Sequence, residues 1–180
     1  MAENINLEED AMPTVKDHLN KPVISTSGGN KLGKIKDLYF DPKVTKVTAV
    51  SLGASGMLRR KKLMIDRAKV QTCGADAWLV SRADVVVEPG QIVGSQEFVP
   101  ASELRGRQIV SEGGTEIATV DSIILDGQCN VKGFTLDKVS ASGPLAQRKA
   151  IALGAITNFG SKTSPMITIL AQAESMEIRT

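Results

Sequence analysis

The sequence predicts an all-β protein made of two tandem small β-barrels joined by a short linker. Two observations carry this prediction. One pattern of glycines, acids and aliphatic residues occurs twice, 85 residues apart. The apolar runs between turn residues are short, and none is long enough to predict a long helix. Each unit has about 70 residues, a size at which a small core folds with little margin, and closing a sheet removes its exposed edges.

The repeat begins at Leu19 and Leu104 and runs without a gap to the acids Asp41 and Asp126. Between these points both copies carry a glycine pair followed by aliphatic side chains in the same register. These positions are Gly28, Gly29, Leu32, Ile35 and Leu38 in the first copy and Gly113, Gly114, Ile117, Val120 and Ile123 in the second. Chance rarely keeps such a set in register, so the chain is a tandem duplication.

Each copy is expected to open with a strand that ends at its aspartate. The apolar residues of 32–40 recur at helical spacing, but the segment follows two glycines and ends at Asp41 and Pro42, which favours a strand with a bulge. Residues 48–52 then alternate at period two, so we predict a β-hairpin whose turn aspartate accepts backbone N–H groups. Further strands are expected near 60–66 and 77–88, and near 147–153 and 166–170.

These elements divide the chain into four segments. We predict an acidic N-terminal tail over 1–14, a first barrel over 15–88, a linker over 89–101 and a second barrel over 102–180. The linker begins at Pro89 and Gly90 and is short enough to keep the two units adjacent. Phe98 and Val99 are expected to pack against one unit and make the linker a structural strap.

The small net charge of +2 conceals an uneven distribution. Residues 1–12 hold four acids and no base, whereas 13–88 hold fourteen bases and seven acids. Six bases with the single acid Asp66 form a basic region, a candidate contact for an anionic partner: Arg59, Arg60, Lys61, Lys62, Arg67 and Lys69. The alternative is a solvated edge strand that its lysines protect from aggregation. The tail is either an autoinhibitory strand on this region or a solubilising terminus.

Composition argues against several classes of protein. No apolar run approaches the roughly 20 residues that cross a bilayer, and the N-terminus lacks the basic and apolar segments of a secretory signal. Cys73 and Cys129 form no CxxC pair, so their spacing indicates neither a metal site nor a dithiol motif and suits a reducing compartment. We therefore expect a cytoplasmic protein. With six aromatic residues, platforms for single-stranded nucleic acid are not expected.

Motifs that suggest catalysis fail in their context. Residues 28–34 fit part of a phosphate-binding loop, but Ile35 stands where a magnesium-binding Ser or Thr is needed, and a strand follows in place of a helix. The loop 53–56 is not a nucleophile elbow. The single histidine, His18, is expected to be a packed surface residue, since convergent ligands are missing. The sequence thus predicts no enzyme, with no catalytic residues, no metal site and no cofactor.

Both copies resemble the opening of the PRC-barrel domain family. That opening is Leu-x-Gly-x-x-Val, then a Gly-x-x-Leu/Ile-Gly-x-Val/Ile core, an Asp and an aliphatic strand. It is matched by residues 19–41 with 46–53 and by 104–126 with 131–137. The second copy keeps the opening Gly106, where the gapless alignment puts Lys21 in the first, and has Ala118 in place of Gly33.

The resemblance implies a small barrel that acts as an adaptor. The same domain forms the cytoplasmic part of the H subunit of purple bacterial photosynthetic reaction centres and the C-terminal part of a ribosome maturation factor, and it occurs alone in many bacterial and archaeal proteins. The implied function is a non-enzymatic adaptor or assembly protein with a protein partner, a peripheral membrane-associated or photosynthetic complex being one context. The alternative is an RNA- or ribosome-binding factor that uses the basic region. Exposed barrel edges are also compatible with a homo-oligomer.

Overall fold

The computed structural model describes residues 11–53 and 61–178. The described part is mostly β-structure, with short helices at the ends of strands. Its strands, in chain order, are β1 Pro22–Ser25, β2 Lys31–Phe40, β3 Val47–Leu52, β4 Leu63–Asp66, β5 Val70–Cys73, β6 Trp78–Val80, β7 Val99–Pro100, β8 Gln108–Ser111, β9 Glu116–Leu125, β10 Val131–Asp137, β11 Ala150–Ala152, β12 Ile156–Asn158 and β13 Met166–Thr168. The helices are α1 Val15–His18, α2 Ala101–Leu104, α3 Pro144–Arg148 and α4 Leu170–Ser175, with 3-10 turns at Arg67–Lys69, Ala83–Val85, Pro89–Gln91, Ser95–Glu97 and Leu153–Ala155.

Both units arrange six strands in the same order. The order is β4-β3-β2-β1-β6-β5 in the first sheet and β11-β10-β9-β8-β13-β12 in the second. The outermost strands β4 and β5 are joined by only the 3-10 turn Arg67–Lys69, and β11 and β12 by Leu153–Ala155. So short a connection requires each sheet to curl until its two edges approach. The predicted all-β fold of two barrel-like units is confirmed.

The hairpins at the two aspartates are also confirmed. Asp41 Oδ1 accepts hydrogen bonds from the backbone N–H groups of Thr45 at 2.7 Å and Lys46 at 2.9 Å. Asp126 Oδ1 accepts from Gln128 and Asn130, both at 2.9 Å. The repetition of these acids therefore follows from the geometry of the turns that they close.

The prediction of a strand over 77–88 is correct only for about the first third of this range and is wrong for the rest. Strand β6 ends at Val80, and the 3-10 turn Ala83–Val85 follows. Val87 pairs with Met64 in an isolated bridge that covers the free edge of β4. The apolar residues after β6 thus protect an edge instead of extending the strand.

The other predicted strands are shorter than expected. The segment 60–66 contributes β4, which begins at Leu63. In the second unit, 147–153 begins within α3 and contributes β11, while 166–170 contributes β13, after which α4 starts at Leu170. Strands β5 and β12, which follow the 3-10 turns, are absent from the prediction. Three or four residues are too few to establish a period.

The gapless alignment of the two copies is wrong by one residue before β2. Asn20 N donates to Ile35 O and Gly106 N donates to Val120 O, both at 2.8 Å. Asn20 and Gly106 also share a left-handed backbone, with φ of 67° and 81°. Asn20, and not Lys21, therefore occupies the position of the opening glycine, and asparagine tolerates this conformation better than most residues.

The linker packs along the first unit as a strap. Strand β7 pairs with β2, with Val99 opposite Phe40 and Pro100 opposite Tyr39. Phe98 packs against a buried cluster that includes Tyr39 and Ile92. The expected packing of Phe98 and Val99 is confirmed.

The two units join through their hairpin turns in a nearly two-fold arrangement. Val47 N donates to Cys129 O at 3.0 Å, and Val131 N donates to Thr45 O at 2.8 Å. The two bonds relate equivalent positions of the two copies, as residues across an isologous dimer interface do. One continuous hydrophobic core includes buried side chains from both units, such as Phe40 and Phe134. The duplicated halves are thus packed as one body.

Candidate functional site

The contact surface between the two units, called the seam below, contains an open pocket of about 390 Å³. Helix α1 lies against β9 of the second unit, where Thr14 bridges Ile124 and Leu125 N donates to Pro13 O at 2.9 Å. Helix α2 lies against β2 of the first unit. Each unit therefore places the short helix that precedes its own sheet on the long strand of the other. The pocket lies between these two helices.

The floor of this seam pocket is apolar. Its side chains come from α1, α2 and β9 and from the residue after α1: Val15, Leu19, Ala101 and Ile123. Three of these side chains are buried, and Leu19 is half-buried. A small apolar floor that stays open to solvent is a typical feature of ligand and peptide sites.

Two aspartates of the pocket wall are already engaged. Asp37 Oδ2 accepts from the Ser102 hydroxyl at 2.6 Å and from its backbone N–H at 3.3 Å. Asp121 accepts a hydrogen bond from Lys16 Nζ, which lowers the pKa of the carboxyl group. Both contacts join the first unit to the second, so these acids hold the seam together.

Two bases of the pocket rim remain available to a ligand. Lys36, on β2, and Arg105, directly after α2, are exposed and line the pocket. Neither makes a salt bridge with an acid of the described residues. The pocket therefore combines an apolar floor with positive charge from both units, an arrangement that attracts an anionic group attached to an apolar one.

The four described members of the basic region differ in their contacts. Arg59 and Arg60 lie outside the described residues. Lys61 donates to Glu88 at 2.8 Å, which raises the pKa of the lysine, and the Lys62 ammonium lies 4.6 Å from the centre of the Tyr39 ring. Lys69 is exposed. The remaining member points into the seam.

That member, Arg67, connects the units. Its guanidinium donates to Val70 O at 3.2 Å and to Gln128 O of the second unit at 3.1 Å. Sequence reasoning assigned this residue to an anionic partner, but within the described residues its hydrogen bonds are internal. Its assignment as a partner contact stays a prediction.

The expectation that His18 is a surface residue is wrong. Only 4% of the residue is exposed, and its Nδ1 accepts a hydrogen bond of 3.1 Å from Trp78 Nε1. Burial lowers the pKa of His18 to about 4, an effect to which nearby Lys21 adds and which Asp17 opposes. His18 is thus a neutral core residue, and its Nε2 has no hydrogen-bond partner among the described residues.

The phosphate-loop pattern of 28–34 lacks the geometry of a phosphate site. Gly28 ends a turn, and β2 begins at Lys31. A phosphate-binding loop needs a helix at this point, with its N-terminal N–H groups directed at the anion. The serine-containing loop 53–56 lies outside the described residues except for Gly53.

Among the described residues, no helix is both long and apolar enough to span a bilayer.

Taken together, the fold defines a protein of two tandem barrel-like units whose seam carries an open pocket. A scan against family models matches residues 14–81 to the PRC-barrel domain. The first unit is therefore a PRC-barrel domain, and the second unit repeats its strand order. No curated protein matches the chain.

The seam pocket is the part of the site that sequence reasoning missed. Its two available bases, Lys36 and Arg105, lie 69 positions apart, and neither belongs to a charge run. The sequence points to the pocket only indirectly. A duplicated domain with a short, packed linker resembles a dimer within one chain, and such an arrangement has a contact surface between its halves.

Proposed function

We propose that the protein is a non-enzymatic adaptor that binds a protein partner at the seam pocket. The observation that supports this proposal is the combination of an apolar floor with two bases from different units, Lys36 and Arg105, that form no salt bridge within residues 11–53 and 61–178. Such a pocket fits a segment that carries one apolar side chain next to carboxylates. The apolar side chain enters the pocket, and the carboxylates face the rim.

The packing of the two units supports the choice of this surface. Because α1 and α2 are exchanged between the units, the pocket exists only when both units are in place. A partner that binds there contacts both halves of the duplication at once. The family resemblance adds a membrane-associated complex as one candidate source of the acidic segment.

RNA binding by the basic region is the alternative function. The contacts of Lys61 with Glu88 and of Lys62 with Tyr39 leave less free charge there than the sequence suggests. An RNA site would depend on phosphate contacts and would weaken steeply with salt. We therefore make RNA binding an outcome of the test and not a second proposal.

The test measures fluorescence anisotropy with a peptide in which leucine is flanked by glutamates. We expect the double variant Lys36→Glu/Arg105→Glu to bind this peptide about tenfold more weakly, because two attractive charges become repulsive. A peptide with lysines in place of the glutamates should not bind. A single-stranded RNA oligonucleotide is titrated in parallel.

The matched control is Lys31→Glu/Lys43→Glu, which changes the net charge equally at exposed lysines that do not line the pocket. It should retain peptide affinity within about twofold. Equal losses of peptide affinity in both variants would mean that net charge alone causes the effect, and the pocket would then be rejected as the binding site. The alternative function would be favoured if the unmodified protein bound RNA but not the peptide, and if RNA binding disappeared in the variant Arg59→Glu/Arg60→Glu/Lys61→Glu/Lys62→Glu.

A further inference from the structure

Equivalent hydrogen bonds set the two helices that border the seam pocket in register. Asn20, after α1, and Gly106, after α2, donate to equivalent carbonyl groups of the long strands, both at 2.8 Å. Four residues earlier in each copy, Lys16 of α1 corresponds to Ser102 of α2. The two helices can therefore be compared position by position.

The same contact between helix and strand occurs on both sides of the pocket. Lys16 N donates to Ser122 Oγ of β9 at 3.4 Å, and Ser102 N donates to Asp37 Oδ2 of β2 at 3.3 Å. Each helix thus places its second residue against the long strand of the other unit. The pocket therefore has two equivalent halves, called the β2 half and the β9 half below.

A β-bulge adds one charged residue to each half. On β2, the residues on either side of Lys36 pair with consecutive residues of β3, so Lys36 is the extra residue. On β9, the residues on either side of Asp121 pair with consecutive residues of β10 in the same way. A bulge changes the direction of a side chain, and both residues line the seam pocket. Lys36 and Asp121 are therefore equivalent positions with opposite charges.

The two halves differ in how these charges are compensated. In the β9 half, Lys16 Nζ lies 2.5 Å from Asp121 Oδ1, so this carboxylate already has a partner. In the β2 half, the helix supplies Ser102, whose hydroxyl donates to Asp37 at 2.6 Å. Lys36 forms no salt bridge with an acid in the part of the chain that the structure describes. The β2 half therefore leaves a lysine ammonium available at the pocket.

The other available base, Arg105, belongs to the β9 half. It directly follows α2, where the chain is hydrogen-bonded to β9. The hydrogen bond from Lys16 lowers the pKa of Asp121, and the charge of Arg105 lowers it further. Because the Asp121 carboxylate repels a ligand carboxylate, it weakens the attraction that Arg105 exerts. The position of Arg105 is occupied in the β2 half by the half-buried Leu19, which places an apolar side chain beside an available lysine.

We infer that Lys36 is the residue that determines the specificity of the seam pocket: it binds the carboxylate of the partner segment, and the ion pair of Lys16 with Asp121 prevents the β9 half from binding a second one. A partner segment therefore needs acidic residues on only one side of its apolar side chain. This inference rests on the proposed function and adds to it an unequal contribution of the two bases, Lys36 and Arg105.

Neutralising each base separately tests this division of roles. Lys36→Ala and Arg105→Ala change the net charge by the same amount, and both residues are exposed. We expect Lys36→Ala to bind the glutamate-flanked leucine peptide about fivefold more weakly, and Arg105→Ala to lose less than about twofold. Fluorescence anisotropy measures both affinities. Equal losses, or a larger loss in Arg105→Ala, would overturn the inference and leave the proposed function intact.

A second variant copies the closed half onto the open one. Lys36→Asp/Ser102→Lys gives the β2 half the ion pair of the β9 half, and we expect peptide affinity to fall at least about tenfold. The matched control Lys31→Asp/Ser142→Lys makes the same charge changes at exposed residues that do not line the pocket. It should keep peptide affinity within about twofold. Circular dichroism establishes that each variant is folded.

The converse variant, Lys16→Ser/Asp121→Lys, opens the β9 half by placing a lysine where the ion pair was. Two peptides of equal charge are compared: leucine between two glutamates and leucine followed by two glutamates. The unmodified protein should bind them with affinities within about threefold, because one half accepts a carboxylate. The variant should prefer leucine between two glutamates by at least about fivefold. An unchanged preference would contradict the inference.

The outcomes separate this inference from the proposed function. If the unmodified protein binds neither peptide, both are wrong. If it binds the peptides and Lys36→Asp/Ser102→Lys binds them equally well, Lys36 does not determine specificity, although the proposed adaptor function stands. Loss of affinity in that variant, with retention in its matched control, supports both.

Discussion

Lowering the pH from 7 to about 4 is expected to reduce the free energy of unfolding by roughly 3 kcal/mol through His18 alone. The pKa of this histidine falls from 6.5 to about 4 in the folded protein. Above pH 6.5 the imidazole is neutral in both states and contributes no pH dependence. Between pH 6.5 and 4 the unfolded chain binds a proton that the native state excludes, so stability falls with pH. Urea unfolding at a series of pH values measures the effect.

The second unit provides the control for this prediction. With the corrected alignment, Leu104 occupies the position of His18, because Lys21 N donates to His18 O as Arg107 N donates to Leu104 O. Met166 occupies the position of Trp78, since each begins a strand that runs parallel to the first strand of its unit. The variant His18→Leu/Trp78→Met should therefore fold and lose the pH dependence between 6.5 and 4. An unchanged pH dependence would show that other groups cause it.

The carboxylates whose pKa is lowered by hydrogen bonds act mainly below that pH range. Hydrogen bonds from Thr14 lower the pKa of Asp17, and the hydrogen bond from Lys16 lowers that of Asp121, both from the ordinary value of 3.8. Their contributions are present above pH 3.8 and are lost as the pH falls through the folded values. The two classes of group therefore act in separate ranges of pH.

The variant Phe40→Ala is expected to lower the free energy of unfolding by about 3–5 kcal/mol. Phe40 is fully buried at the end of β2, where it pairs with Val47 on one side and Val99 of the strap on the other. Removing its ring leaves a cavity in the hydrophobic core that the two units share. Urea unfolding followed by circular dichroism measures the loss.

The same experiment reports whether the units unfold together. Phe134, fully buried in the second unit, belongs to the same hydrophobic core as Phe40. We expect Phe40→Ala and Phe134→Ala each to move a single transition to lower urea concentration, whether it is followed by Trp78 fluorescence or by circular dichroism. Two separate transitions, with each variant affecting one of them, would contradict a shared core.

Much of the fold could be predicted because the sequence contains the evidence twice. The glycine pairs and the turn aspartates Asp41 and Asp126 mark the same hairpin in both copies, and this overrides the helical spacing of the apolar residues in β2. The strands β5 and β12 could not be predicted. They are short, and they form because a 3-10 turn returns the chain to a sheet edge that sequence periodicity does not reveal.

The candidate site was less predictable because it lies between the units. Lys36 and Arg105 become neighbours of one pocket only through the exchange of α1 and α2. His18 was predicted to lie at the surface because the sequence shows no convergent ligands for it, and the gapless alignment places it opposite Glu103, whereas its structural equivalent is the buried Leu104. The two copies differ in length by one residue before their long strands, and the gapless alignment therefore hid this correspondence.

Amide chemical shifts recorded during titration with the glutamate-flanked leucine peptide test most directly whether the seam is the binding surface. We expect saturable shifts in residues 15–19 of the first unit and in 101–105 and 121–123 of the second, with the same apparent affinity. Lys36→Glu/Arg105→Glu should weaken all of these shifts together. Shifts confined to one unit, or to residues 61–69, would contradict binding at the seam.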